Sequence, residues 1–436
     1  MFYLSKDIQL TTDLLHKMIY RFNVEVKPKL IKYKNYYDGK HAILNKQYVD
    51  TSKPCSKSVT NYTKSIADAY AGYLATPEHI SYTSDEDIEE VMDILRYNDY
   101  QAEDSDFLLN ALIYGVAAEL MYLDSNSTVR FRLIDPTTCF GVYDDSLTGD
   151  LMYFVRMYKE NDWEDSDNYI VKVYTDNEIY TYKMAGVNGV LIATGEPEQH
   201  YFSQCPANIF TLPDEKSIFD CVMGLQDAAN EVLNSEIDDY SSFCDSYLIL
   251  QGVDADGEDI AAMRKNRAAS IPVDATMYYL TKQTNDTQVE NILKRIHESI
   301  YRIAQCPDFS SESFIGGVSS GVAIRYRLCG MENRAGKIEA EMKKALQRRI
   351  EIICGIASLK LGEAVFRDIR ITFKRNIPED INAIISLVNS LKGTVSDATL
   401  LSQIPFITDV NAELEAVKEQ AAANLALYDF EAGVED

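Results

Sequence analysis

Along residues 214–246 apolar side chains recur every three or four positions. Ile218, Val222, Leu225, Ala229, Val232, Ile237 and Tyr240 fall on one stripe of a helix. The polar remainder is nearly single-signed, with Asp214, Glu215, Asp220, Asp227, Glu231, Glu236, Asp238, Asp239 and Asp245 against Lys216. A strand-like run, YLILQG, follows, then an Ala- and charge-rich stretch, then MYYLTKQ. A second helix is predicted to return over 286–306, with Val289, Ile292, Leu293, Ile296, Ile300 and Ile303 at helical spacing. Pro307 ends it, because it has no amide to extend the ladder. Two long helices, one of them acidic, flanking a β excursion describe a part used in multiple copies.

Before this hairpin both periods occur. A helix is predicted over 6–27, then a Lys- and Tyr-rich segment to about residue 64, with nine lysines against Asp38 and Asp50. That segment reads equally as a solvated surface or as a patch contacting phosphate or acids. A short helix stops near Thr76-Pro77 and leads into a strand. Residues 84–106 carry ten acids against Arg96, the pattern of a solvated helix face. From Val129 to Ala193 the period is two, with breaks at Asp135-Pro136, Thr148-Gly149 and Val187-Asn188-Gly189, so an antiparallel β region is expected. Trp163 lies in an acidic loop and gains no ligand role.

After the hairpin, residues 307–321 are rich in Ser and Gly and lack a hydrophobic period, as in a flexible loop. A long helix is predicted from Val322 to near Leu361; through Arg349 it is the most basic helix of the chain. The strand IRITFKRN and helices opening at Pro378, around ATLLSQI and around AELEAVKEQAAANLALY complete the sequence. No internal repeat is visible.

The 436 residues exceed one ordinary core and call for two to four substructures. With 46% hydrophobic and 25% charged residues the chain is globular, and its net charge of −26 is the wrong sign for a general nucleic-acid binder. Eight cysteines without a CxxC pair suit free, buried thiols in a reducing compartment. The N-terminus lacks a basic-then-apolar leader pattern. The most apolar run, LLNALIYGVAAELMYL, carries Asn110 and Glu119 and is short of the ~20 residues of a bilayer span, so a buried core helix is expected there.

Catalytic patterns are not met. Gly321 precedes Val322 where a phosphate loop needs Gly-Lys, and the five histidines show no paired-ligand spacing. Ser319-Ser320 lacks the strand–GxSxG–helix setting, and Asp144-Asp145 reads as a β-turn before it reads as a Mg²⁺ site. The expectation is a non-enzyme without cofactor or metal.

Several stretches, taken in order, resemble the portal (head–tail connector) proteins of tailed bacteriophages, in their siphophage-type branch. They are YYDGKHAIL (36–44), NYTKSIADAYAGYLATPE (61–78), the run from Gly115 to Pro136, and Val142-Tyr143-Asp144-Asp145. SYLILQG (246–252), SSGVAIRYRL (319–328) and IPEDINAI…SDATLLSQIPFITDVNAELE (377–415) follow. Each is weak alone; their collinearity is specific.

The resemblance implies an α+β portal fold assembled as a ring, typically twelvefold, at one capsid vertex. Its parts would be a wing (1–213), a first stem helix (214–246), a small α/β clip (247–285) and a second stem helix (286–306). A tunnel loop (307–321), a long wing helix and strand (322–375) and a helical crown (376–436) would follow. Double-stranded DNA would pass through during packaging and ejection. Asp227, Glu231 and Asp238 would line the channel and repel DNA. Asp308, Ser310, Ser311, Ser313, Phe314, Ser319 and Ser320 would belong to the tunnel loop. Arg325, Arg327, Arg334, Lys337, Lys343 and Lys344 would bridge subunits or touch DNA. Implied partners are other copies of the chain, the terminase large subunit, a head-completion adaptor, and major capsid and scaffolding proteins, without a membrane. The protein would assemble in the host cytoplasm and reside in the virion. The alternatives are another virion connector lacking a DNA channel and a metal-dependent enzyme acting on nucleic acid.

Overall fold

The chain opens with the strand Phe2–Leu4 and a helix whose Thr11 cap accepts the Leu14 amide. Helix Thr12–Arg21 passes through a wide π turn, Phe22–Val26, into helix Lys27–Tyr37. Pro28 has no amide to offer the preceding turn, so the ladder widens there and the helix outlasts the expected 6–27. The computed structural model describes residues 2–48, 54–76, 79–161, 168–187, 189–244, 248–252, 274–279, 286–310, 321–356, 365–375 and 381–401, with scattered positions in 256–260 and 404–420.

The period-two region forms a seven-stranded sheet. Its order is Phe2–Leu4, Cys139–Asp144, Leu151–Lys159, Asn168–Tyr174, Glu178–Ala185 and Glu198–Gln199, with Leu191–Ala193 also on Glu178–Ala185. The first pairing is parallel (Phe2 opposite Val142) and the remainder antiparallel. Alternation sends Val142, Val155, Val171 and Val173 to one face, where they pack with Leu15, Met18 and Ile19 of the first helix and Phe22 of the π turn. Phe154 and Tyr174 point the other way, into a cluster with Ala118, Leu120, Ile134 and Ala207. Those residues come from a second sheet ordered Ala207–Thr211, Val116–Leu123, Val129–Ile134. The apolar run expected as one core helix is therefore half helix. Tyr100–Tyr114 ends at Gly115, and a strand begins at Val116. Gly115 has φ +81°, and a Cβ there would meet Lys216 backbone at 2.7 Å, so the chain turns sharply where only glycine fits.

A small antiparallel pair, Ile80–Thr83 with Arg370–Phe373, joins distant parts of the chain. The basic helix runs Gly321–Cys354; Gly355 follows, and residues 357–364, where the expected helix would have ended, lie outside the described residues, as does Trp163. Helix Tyr100–Tyr114, the three-stranded sheet and Tyr82 of the small pair meet this helix around Arg349. Its guanidinium lies on Asp104 and is 2.7 Å from Glu119, with Phe131 stacked 4.4 Å away; Asn208 and Tyr82 complete the carboxylates. All three charged groups are buried. This buried network ties helix Tyr100–Tyr114, the three-stranded sheet and the basic helix together.

By packing the chain falls into two units, 1–308 with 328–376, and 309–327 with 377–436. In the second, helices Ile381–Leu391 and Asp397–Leu401 are joined by a turn at Gly393, and Leu400 is buried.

Candidate functional site

The acidic helix starts later than its periodicity suggests. Residues 214–219 form a turn in which Ser217 Oγ and the Ile218 amide both donate to Leu112 O. A 3-10 turn, Asp220–Val222, leads into helix Met223–Cys244. Ile218, Val222 and Ala229 of the expected stripe are buried, but Tyr240 is 75% exposed. The buried face is continued instead by four polar side chains, Gln226, Asn230, Asn234 and Asp238.

These four sit one turn apart and hold an extended segment of the N-terminal region running antiparallel to the helix. Gln226 Oε1 accepts the Tyr62 amide at 2.9 Å, and its Nε2 donates to Thr60 O. Asn230 Oδ1 accepts both the amide and the hydroxyl of Thr60 at 3.0 Å. Asn234 bonds Ser58 twice, accepting its amide and donating to its carbonyl, each at 2.7 Å. Asp238 Oδ1 accepts the Ser56 amide at 2.6 Å. Four helical residues advance about 6.0 Å and two extended residues about 6.6 Å, so every fourth side chain meets every second amide. Asn230 Nδ2 also donates to His41 Nδ1, which leaves His41 Nε2–H to donate to Tyr36 O and fixes the tautomer.

The acids predicted to line a channel lie along this contact. Asp227 Oδ2 accepts the Tyr36 hydroxyl at 2.5 Å, while its Oδ1 is buried with no hydrogen-bond partner among the described residues. Glu231 is 2.7 Å from Lys46 Nζ and exposed. Asp238 is 7% exposed and takes the Tyr48 hydroxyl in addition to Ser56. Burial would raise the Asp238 carboxyl, but hydrogen bonds from Ser56 and Tyr48 and the charge of Lys46 hold it below the usual carboxylate range. Desolvation would lower Lys46, and Glu231 with Tyr48 lifts it above the usual lysine range. Burial, then the negative charge of Asp220 and Asp227, pushes the Tyr33 and Tyr36 phenols up, so both stay donors. Of the two readings open for the Lys- and Tyr-rich segment, contact with acids is realised by Lys46, Tyr33, Tyr36 and Tyr48. Glu231 and Asp239 remain on the exposed flank of the helix, with Glu236 half-buried beside them.

The return helix, Asp286–Ala304, packs on the outgoing one, and strands Leu248–Gln251 and Thr276–Tyr279 pair between them. Its end is fixed from helix Tyr62–Leu74, where Tyr70 donates to Ala304 O, and by Arg334, which donates to Ala304 O and Ile218 O and so bridges both arms. Lys343 pairs with Glu339 at 2.6 Å and Lys344 with Glu341 at 2.8 Å on their own helix. Arg325, Arg327 and Lys337 are exposed. Asp308 receives His297 Nε2 at 2.9 Å, and Ser310 follows in a turn. Ser311, Ser313, Phe314, Ser319 and Ser320 lie outside the described residues.

The polar ladder carries a sequence signal that hydrophobic periodicity does not register. Two asparagines in a helix interior oppose helix propensity, and at a four-residue spacing with Gln226 and Asp238 they mark a face that binds something polar. Among the described residues no group of three His, Cys, Asp or Glu side chains could share a metal ion, and no helix is long and apolar enough to cross a membrane.

A family profile described as "Phage portal protein, SPP1 Gp6-like" matches residues 15–425. The portal protein of Bacillus phage SPP1 is 23% identical over 465 aligned residues, covering 98% of this chain and 90% of that protein. The portal protein of Clostridium phage phiCD119 is 20% identical over 438 residues, covering 91% of this chain and 94% of that protein.

Proposed function

This chain belongs to the SPP1 Gp6-like family of phage portal proteins and functions as one, and from that premise we propose how its parts serve a DNA channel. The family is structural, and its members are components of the virion at the capsid. The observation that supports the finer reading is that the matched span takes in the whole acidic hairpin together with both flanking regions. In this reading a dozen or so copies close into a ring, with helices Met223–Cys244 and Asp286–Ala304 as its stem. The strands Leu248–Gln251 and Thr276–Tyr279 form the clip on which the terminase large subunit and later a head-completion adaptor dock. Residues 376–436 are the crown, 307–321 the tunnel loop, and the remainder the wing.

The work done on DNA is passive. Duplex DNA carries one negative charge per ~1.7 Å of axis, so an acidic wall prevents adhesion while a separate motor supplies the energy. Of the three acids first singled out, Glu231 is the exposed one; on the same helix Asp239 is exposed and Glu236 half-buried. Asp227 and Asp238 contribute charge from behind, because each is held by the N-terminal segment. Crowding of acidic helices is offset by cations such as Arg325, Arg327 and Lys337 reaching between copies.

The triple variant E231K/E236K/D239K tests this without touching the ladder. It is expected to form rings in normal number and to lose packaged DNA on the order of tenfold, since phosphates now stick to the wall. Full packaging through such rings would remove the repelling wall from the account.

A further inference from the structure

We propose that residues 54–62 are a strap that docks on and leaves the acidic helix as one unit, and that its docking decides how many of the helix's carboxylates face solvent. The charge consequence rests on the stem reading above; the docking itself does not.

Three observations carry this. First, the strap is read through its backbone: the amides of Ser56, Ser58, Thr60 and Tyr62 all go to side chains of one helix face. Within 54–61 the structure has neither helix nor strand, so those amides lean on the ladder and not on a sheet. Second, the sites are locked in register, because Asn234 Nδ2 also donates to Asn230 O and Asn230 reaches His41, so losing one rung disturbs its neighbours. Third, the docked state carries a cost. Asp238 is 7% exposed with the Ser56 amide on it, and release would return its carboxylate to water. Hydrogen bonds that are individually modest, set against a desolvated carboxylate, make a contact that opens without unfolding the core. Docked, the strap covers Asp238, whereas Asp227 is held by Tyr36 and Glu231 by Lys46, both outside the strap. Released, it adds the Asp238 carboxylate to those already exposed at Glu231 and Asp239.

Hydrogen–deuterium exchange on the full chain tests the docking. Asn234→Leu removes both bonds to Ser58; at about fivefold per hydrogen bond, exchange should accelerate about 25-fold. The acceleration is expected at Ser56, Thr60 and Tyr62 as well as Ser58, and confinement to Ser58 would overturn the single-unit strap. Ser58→Pro makes the same test from the strap side with the helix intact, should Asn234→Leu not fold. It is expected to speed Ser56, Thr60 and Tyr62 together, and unchanged exchange there would likewise overturn the proposal. Carbodiimide labelling of carboxylates reads the charge consequence: Asp238 should label faster in step with strap exchange. Labelling that stays at the wild-type rate while the amides open would overturn that half. Both readouts use the chain as it stands, so neither depends on whether its copies form a DNA channel.

Discussion

Arg349 is fully buried, and its position is tenable only because Asp104 and Glu119 close on it from two other elements. Burial raises Asp104 even with Arg349 beside it, so the cluster is held by mutual compensation. Arg349→Met leaves two buried carboxylates without their cation and should destabilise the fold by about 3–5 kcal/mol, read as a lower denaturant midpoint. A change below about 1 kcal/mol would mean that the carboxylates find other partners. Cysteines sort by the same logic. Burial pushes Cys205 and Cys306 up to about 12 and Cys354 up to about 11, while Cys221 and Cys329 are exposed. Iodoacetamide should therefore modify Cys221 and Cys329 in the folded protein and reach Cys205, Cys306 and Cys354 only in denaturant. Arg349 could have been read from sequence, since it continues the Met342, Ala345, Leu346, Ile353 stripe of its helix. Its partners could not: Asp104 lies in a stretch of ten acids, and nothing local separates a buried one from the solvated rest.

Among elements, the junctions around the acidic helix are the most constrained. Gly115 and Gly149 both have positive φ, but only Gly115 has backbone atoms where a Cβ would go. Gly149→Ala should cost about 1–2 kcal/mol through the left-handed backbone alone, and Gly115→Ala clearly more, in the same thermal unfolding experiment. Equal losses would argue against the close approach of Lys216. Asp238 gives the strap a pH dependence of defined sign. Its carboxyl is held below the ordinary value of 3.8, so its stabilisation is complete above that value and fades as pH falls through the lower folded value. Protection of the Ser56 amide should be flat from neutral pH to about 4 and decline below it, with Asp238→Asn flattening the difference. Element types were largely legible where periods were clean, as in the sheet of Cys139–Asp144 through Glu178–Ala185 and in the return helix. The run 108–123 misled because helix and strand there are both apolar, and only Gly115 marks the change. The strap was illegible for a different reason: its binding is through backbone amides, which leave no side-chain pattern in the segment that is bound.

For the molecule as a whole, a charge of −26 is a property that assembly must accommodate. The hairpin of Met223–Cys244 and Asp286–Ala304 is anchored at its base by Arg334 and Tyr70, so the acids lie on an element fixed to the body of the chain. In the reading proposed for this member of the portal family, that arrangement is a stem through which DNA passes. The most direct test is native mass spectrometry of the purified protein near physiological salt, with images of the same particles. The account predicts rings of about a dozen copies with an open centre wide enough for duplex DNA. A small closed oligomer without a central opening, persisting when scaffolding protein is added, would contradict it.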